Sequence, residues 1–168
     1  MVLAFHLIDR WFPSDIWTAF SLLAESLICL GTAVVGGMIV GMERERLDKP
    51  AGIRTHILVC VGSAGFVHLG VMAQTLDLGL GSIADFNRLI QSIATGIGFL
   101  GAGAIFRGGS GVKGVTTAAS IWIMGAVGAA AGAGALALSV VLALSGYLVL
   151  RWLRFLETDR QESGRGTD

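Results

Sequence analysis

From Gly114 to Leu150 the chain carries no charged residue. As one α-helix that stretch would be about 55 Å long, far more than the roughly 30 Å hydrocarbon core of a bilayer. Two shorter spans, about Val115–Ala131 and Ala133–Leu150, with a turn near Gly132 and Gly134, fit the run better. The rest agrees with a bilayer environment. Hydrophobic residues make up 54% of the chain and charged ones 14%, and the charges are clumped, whereas a soluble domain carries about a quarter charged residues. The fold class expected is all-α, a polytopic membrane helix bundle of about five transmembrane helices, with no room in 168 residues for a separate catalytic module.

The first three spans read as about Leu22–Met42, Thr55–Leu76 and Leu89–Phe106. Residues 1–20, with Trp11, Phe12, Trp17 and Phe20 among Asp9, Arg10 and Asp15, suit an interfacial lead-in, and Ser14 after Pro13 is the expected helix N-cap. Residues 21–151 form the transmembrane domain, and 152–168 a polar tail expected to fray. No basic n-region or small-residue cleavage site precedes the first span, so no removed signal peptide is expected. Cys29 and Cys60 lie inside apolar runs without metal-ligand spacing and read as buried free thiols.

Lysines and arginines set the expected orientation. With five spans, Arg44, Arg46, Lys49, Arg54, Arg107, Lys113 and the arginines of the tail all fall on one side, leaving Arg10 and Arg88 on the other. The positive-inside rule makes the first side cytoplasmic, which puts the N-terminus outside and the C-terminus inside.

Two polar clusters stand out. The first is the connector between spans one and two, with Glu43, Arg44, Glu45, Lys49, Arg54 and His56, turned by Pro50 and Gly52. It reads either as a solvated loop, whose ion pairs contribute 0 to about 1 kcal/mol each, or as an ordered, partly buried network at the helix ends. The second comprises Glu25, Asp85, Arg88 and Gln91, all mapping to the outer leaflet. Asp85 could simply cap the third helix. Arg88 runs against the charge rule and either snorkels to headgroups or pairs with Asp85 or Glu25. His68, deeper in span two, is expected to hydrogen-bond across helices.

Gly96-Ile-Gly-Phe-Leu-Gly101 matches a dinucleotide-binding fingerprint by letter only. That motif needs a preceding strand and a later ribose-binding acid, and no Asp or Glu occurs between Asp85 and Glu157. Gly37, Gly41, Gly96, Gly98, Gly101 and Gly103 read instead as close-packing positions between helices, with dimerisation or a broken third helix as alternatives.

Through these residues the chain resembles the MgtC/SapB family of bacterial inner-membrane proteins. The resemblance rests on Gly-Met-Ile-Val-Gly-Met-Glu43-Arg44-Glu45 leading into Lys49-Pro50-Ala51-Gly52-Ile53-Arg54-Thr55-His56 and Gly62-Ser63-Ala64. It continues through Asp85, Arg88, Gln91 and the Gly96–Gly103 run to Gly114-Val-Thr-Thr-Ala-Ala-Ser-Ile-Trp122. The family often has proline where this chain has Phe86, and the soluble C-terminal domain of longer members is not expected here. The resemblance implies adaptation to low magnesium or acid stress and, in pathogens, virulence. It also implies regulation of other membrane machinery, the rotary ATP synthase included. Partners expected are the lipid bilayer, such a membrane complex and further copies of the chain, with no nucleic acid. The alternative is transport of Mg²⁺ or another cation, although Mg²⁺ keeps several waters and takes carboxylate oxygens in octahedral geometry and no acid lies at mid-span. No cofactor is expected beyond Mg²⁺ as ligand or transported ion. An enzyme is not expected, because His6, His56 and His68 are scattered and no nucleophile–base spacing recurs.

Overall fold

The computed structural model describes residues 15–75, 83–108 and 111–163. Its elements are α1 (Ile16–Glu45), α2 (Ile53–Thr75), α3 (Ile83–Gly103), a hairpin of β1 (Phe106–Gly108) and β2 (Gly111–Lys113), α4 (Val115–Gly132) and α5 (Leu136–Ser163). The fold is an all-α membrane helix bundle. Ile16–Glu45, Ile53–Gln74 and Val115–Gly132 are each long and apolar enough to cross a bilayer, and Leu136–Trp152 is a shorter apolar segment. Large apolar side chains lie on the outside, with Phe99 82%, Trp17 78% and Leu58 71% exposed. A surface of that kind suits lipid rather than water.

Several boundaries differ from the sequence expectation. Helix α1 begins well before Leu22, and its N-cap is Asp15, not Ser14, which lies outside the described residues. The Asp15 carboxylate accepts the Thr18 amide at 3.0 Å and the Thr18 hydroxyl at 2.7 Å, satisfying an otherwise orphaned helix donor. Those bonds hold the carboxyl below its usual range. Helix α3 starts at Ile83 and runs unbroken through Gly96, Gly98 and Gly101. It stops at Gly103, where Ala104 and Ile105 donate to carbonyls three residues back, and the expected loop after it folds as a β-hairpin pairing Phe106 with Lys113. The α4–α5 turn falls where expected. Ala135 N–H donates to Ala130 O at 2.9 Å and Gly134 N–H to Ala131 O at 3.0 Å, with Gly134 at φ 75°. That is a Schellman motif, and its left-handed position suits glycine. Finally, α5 continues past Arg151 to Ser163 where a fraying tail was expected, in keeping with the helix propensity of its Arg, Leu, Glu and Gln residues.

Helix α4 is the hub, packing against all four other helices. The central core is made of small and medium residues: Ala33 and Val40 from α1, Cys60 and Ala64 from α2, Met124, Val127 and Ala131 from α4, and Ala143 from α5. Small side chains let backbones approach, which is how helices gain contact energy in lipid without a hydrophobic driving force. A Cβ on Gly128 would overlap the Cys60 carbonyl, and one on Gly132 the Ala64 carbonyl. Gly37 and Gly41 do the same between α1 and α2, where a Cβ would lie 2.7 Å from Ile57 Cα and from Ile53 Cα respectively. Both cysteines are free and buried, and the Cys60 thiol donates to Met124 O at 3.2 Å.

Candidate functional site

The α1–α2 connector is an ordered end of the bundle. Glu43 and Arg44 complete α1 and are 6% and 4% exposed. They form a loose ion pair, Arg44 Nη1 to Glu43 Oε2 at 3.7 Å. Adjacent residues on a helix do not face each other, which accounts for a separation beyond hydrogen-bond length. Arg44 Nη2 donates to Thr117 Oγ1 on α4 at 3.3 Å. Arg44 Nε and both Glu43 carboxylate oxygens have no hydrogen-bond partner.

The connector itself is held by backbone bonds and one long-range cap. Leu47 and Lys49 N–H both donate to Arg44 O, at 3.3 and 3.1 Å, and Asp48 takes the left-handed conformation at φ 49°. Glu45 reaches over the turn to accept the Ile53 amide at 2.7 Å, capping α2 from eight residues upstream. Gly52 is bare because that carboxylate occupies the space of its Cβ. A cap of this kind contributes about 1 kcal/mol. Glu45→Ala and Gly52→Ala are therefore expected to destabilise the protein by similar amounts, about 1 kcal/mol each. In the double variant the costs should not add, because both changes remove the same bond. Unfolding in mixed micelles measures all three.

His56, fully buried on α2, continues the network. Its Nδ1 lies 2.8 Å from Gly52 O, and a carbonyl only accepts, so Nδ1 carries the proton. Nε2 lies 3.1 Å from Ser120 Oγ on α4. The Ser120 hydroxyl also lies 2.8 Å from Thr117 O, so its single proton has two acceptors when the ring is neutral. The chain of contacts Arg44–Thr117–Ser120–His56–Gly52 thus ties together α1, α2 and α4.

Of the connector residues picked out in the sequence, Glu43 pairs with Arg44, Arg44 and His56 are linked through Thr117 and Ser120, and Glu45 caps α2. Lys49 and Arg54 are exposed and make no side-chain hydrogen bond among the described residues. Thr117 and Ser120, each 2% exposed, were missed. Their signal was the three-residue spacing at the start of α4, which puts both hydroxyls on one face.

The outer cluster is different. Glu25, Asp85, Arg88 and Gln91 are all exposed, on α1 and α3; both helices pack on α2 and α4. Asp85 lies in the first turn of α3, where the helix dipole favours an acid. The ion pair found among the described residues is Glu43–Arg44, and none joins Glu25 to Arg88. His68, by contrast, bridges three helices, with Nε2 2.9 Å from Ser26 Oγ on α1 and Nδ1 3.3 Å from Gly132 O on α4.

The glycines divide as well. Gly101 packs on Ala118, but Gly96, Gly98 and Gly103 have nothing within 4 Å of a Cβ position, so they are not packing positions within the protomer. The inward face of α3 is Leu89, Ile93, Ile97 and Gly101, turned toward α2 and α4, which leaves Gly98 and Gly103 on its outward side, while Gly96 borders an open groove between α2 and α3.

Comparison with known proteins agrees with the motifs. Residues 30–159 match the model of the MgtC family. Protein SrpB of Synechococcus elongatus is 40% identical over 139 residues, covering 73% of this chain and 76% of its own. Protein MgtC of Brucella abortus is 40% identical over 112 residues, 67% of this chain and 44% of its own. The putative magnesium transporter YhiD of Escherichia coli is 37% identical over 128 residues, 76% of this chain and 60% of its own. The chain thus spans under half of the Brucella relative and under two thirds of the Escherichia coli one. No solved structure matches it. A family match running from the middle of α1 into α5, together with relatives near 40% identity, places this chain in the MgtC family.

Proposed function

We propose that the protein is a non-enzymatic, five-span protein of the bacterial inner membrane, with its α1–α2 hairpin end in the cytoplasm, and that it serves adaptation to low magnesium or acid stress by regulating other membrane machinery. The carrying observation is the outward face of α3. Leu89, Ile93, Ile97 and Gly101 face the bundle, while Arg88, Gln91, Thr95 and Gly98 are exposed on the other side. Polar and small side chains facing lipid favour contact with another helix, since an amide in hydrocarbon needs a partner. The described histidines offer no acid–base machinery facing a cleft. Both ring nitrogens of His56 and of His68 lie against atoms of neighbouring groups that hold the helices together.

The test is substitution on that face. Gln91→Leu with Gly98→Leu is expected to abolish complementation of growth at low magnesium while membrane level and thermal stability stay at wild type. Wild-type growth of the double variant would sink the reading.

Transport of Mg²⁺ is the second reading, favoured by the similarity to the putative magnesium transporter YhiD of Escherichia coli. Mg²⁺ keeps several waters and is bound through one or two carboxylates. The buried carboxylate of Glu43 borders a cleft lined also by Arg46 and Arg151, surroundings that repel a divalent cation.

A further inference from the structure

At the hairpin end of the bundle lies a cleft of about 830 Å³. Arg44 and Lys49 of the connector, Lys113 of β2, and Thr116 and Thr117 of α4 line it, with Asp48 as the acid among its lining residues. We propose that this cleft binds a phosphate group, carried by an anionic lipid headgroup or by a soluble phosphate compound.

Three features converge there. The first is electrostatic. Even with the neighbouring Glu43 added to Asp48, the cations Arg44, Lys49 and Lys113 leave the cleft positive, and the N-terminus of α4 adds about half a charge. The second is the state of that helix end. Its N-cap is Gly114 at φ 88°, which supplies no side-chain cap, so the first amides of an 18-residue helix are open to an anion. Glycine is required on two counts, the left-handed conformation and the overlap of any Cβ with Ala104 O. A capping Ser or Asp, which would compete with an anion, is thereby excluded from the position.

The third feature is Arg44. It is 4% exposed, borders the cleft, and leaves Nε without a partner. Its bond to Thr117 at 3.3 Å and its ion pair at 3.7 Å are both long. A buried guanidinium presents five donors in a fork that matches phosphate oxygens, and this one is under-used. Desolvating it without further acceptors is costly. An anion between Arg44, the Thr116 and Thr117 end of α4 and the two flanking lysines would relieve that cost. The volume exceeds that of a bare phosphate and lies in the range of organic ligands. Val149 and Leu150 of α5 supply an apolar wall for the rest of such a molecule.

The experiment uses the full chain purified in detergent, with thermal stability and native mass spectrometry as readouts. One arm titrates dioleoyl phosphatidylglycerol against dioleoyl phosphatidylcholine, and the other inorganic phosphate and ATP. Saturable stabilisation in either arm is expected, and which arm responds identifies the source of the phosphate. Lys49 and Lys113 are exposed, so Lys49→Gln with Lys113→Gln should leave the fold intact and weaken binding about tenfold. Thr116→Val, also exposed, is expected to weaken it further. No saturable effect of any of the three anionic probes, or equal affinity for wild type and the lysine double variant, would overturn the proposal.

Discussion

Gly128→Ala is expected to be among the most damaging single-methyl changes in this protein. In most helices the substitution is favourable by up to about 1 kcal/mol, because alanine loses less backbone entropy. Here the new Cβ would overlap the carbonyl of Cys60, and a backbone atom in the middle of α2 has no rotamer to move into. The helices must separate, and the core of Ala33, Val40, Cys60, Ala64, Met124 and Val127 separates with them. Interiors are close-packed and overpacking costs about 1–3 kcal/mol even when side chains can adjust, so a loss of about 3 kcal/mol is expected. Gly132→Ala, against the Ala64 carbonyl, should behave alike. Gly98→Ala, with nothing within 4 Å, should be neutral or slightly stabilising. Unfolding in mixed micelles reads all three, and equal effects at Gly128 and Gly98 would contradict the helix placement.

Arg44→Met carries the second large effect. Removing one partner of a buried ion pair leaves the other charge uncompensated, at about 3–5 kcal/mol. Glu43 is unusually exposed to this penalty, since neither carboxylate oxygen has a hydrogen bond and Arg44 is its ion-pair partner. Replacing both residues with methionine should recover most of the loss, because a buried pair contributes little over apolar residues of similar volume. The four proteins form a double-mutant cycle. Purely additive losses would show that the two side chains do not sense each other.

Much of the architecture can be read from charge and spacing alone. The charge-free run fixes α4 and α5 and the turn between them, and the spacing of Gly37 and Gly41 reveals a real α1–α2 contact. Spacing cannot say which way a glycine faces, however. Gly96, Gly98 and Gly103 look like Gly37 and Gly41 in the sequence, yet nothing lies within 4 Å of a Cβ at any of the three, because Ile93 and Ile97 make the inward contacts of α3. Gly128 and Gly132 have the same four-residue spacing and bring α4 against the backbone of α2, but in a run composed almost wholly of small residues they do not stand out. The connector was legible as a polar cluster; its depth was not. Arg44 is bonded by Thr117, more than seventy positions downstream, and the hydroxyls of Thr117 and Ser120 read locally as ordinary residues near a helix start.

We propose that this bundle acts through contact and does not conduct. Backbone-to-backbone glycine contacts close its core, and Arg44, Lys49 and Lys113 line the cleft at its hairpin end. Purified protein in liposomes loaded with a Mg²⁺-sensitive dye tests this directly. Influx equal to that of empty vesicles is expected, with and without a membrane potential. Influx above that background, abolished by Glu43→Gln or Asp85→Asn, would contradict the account.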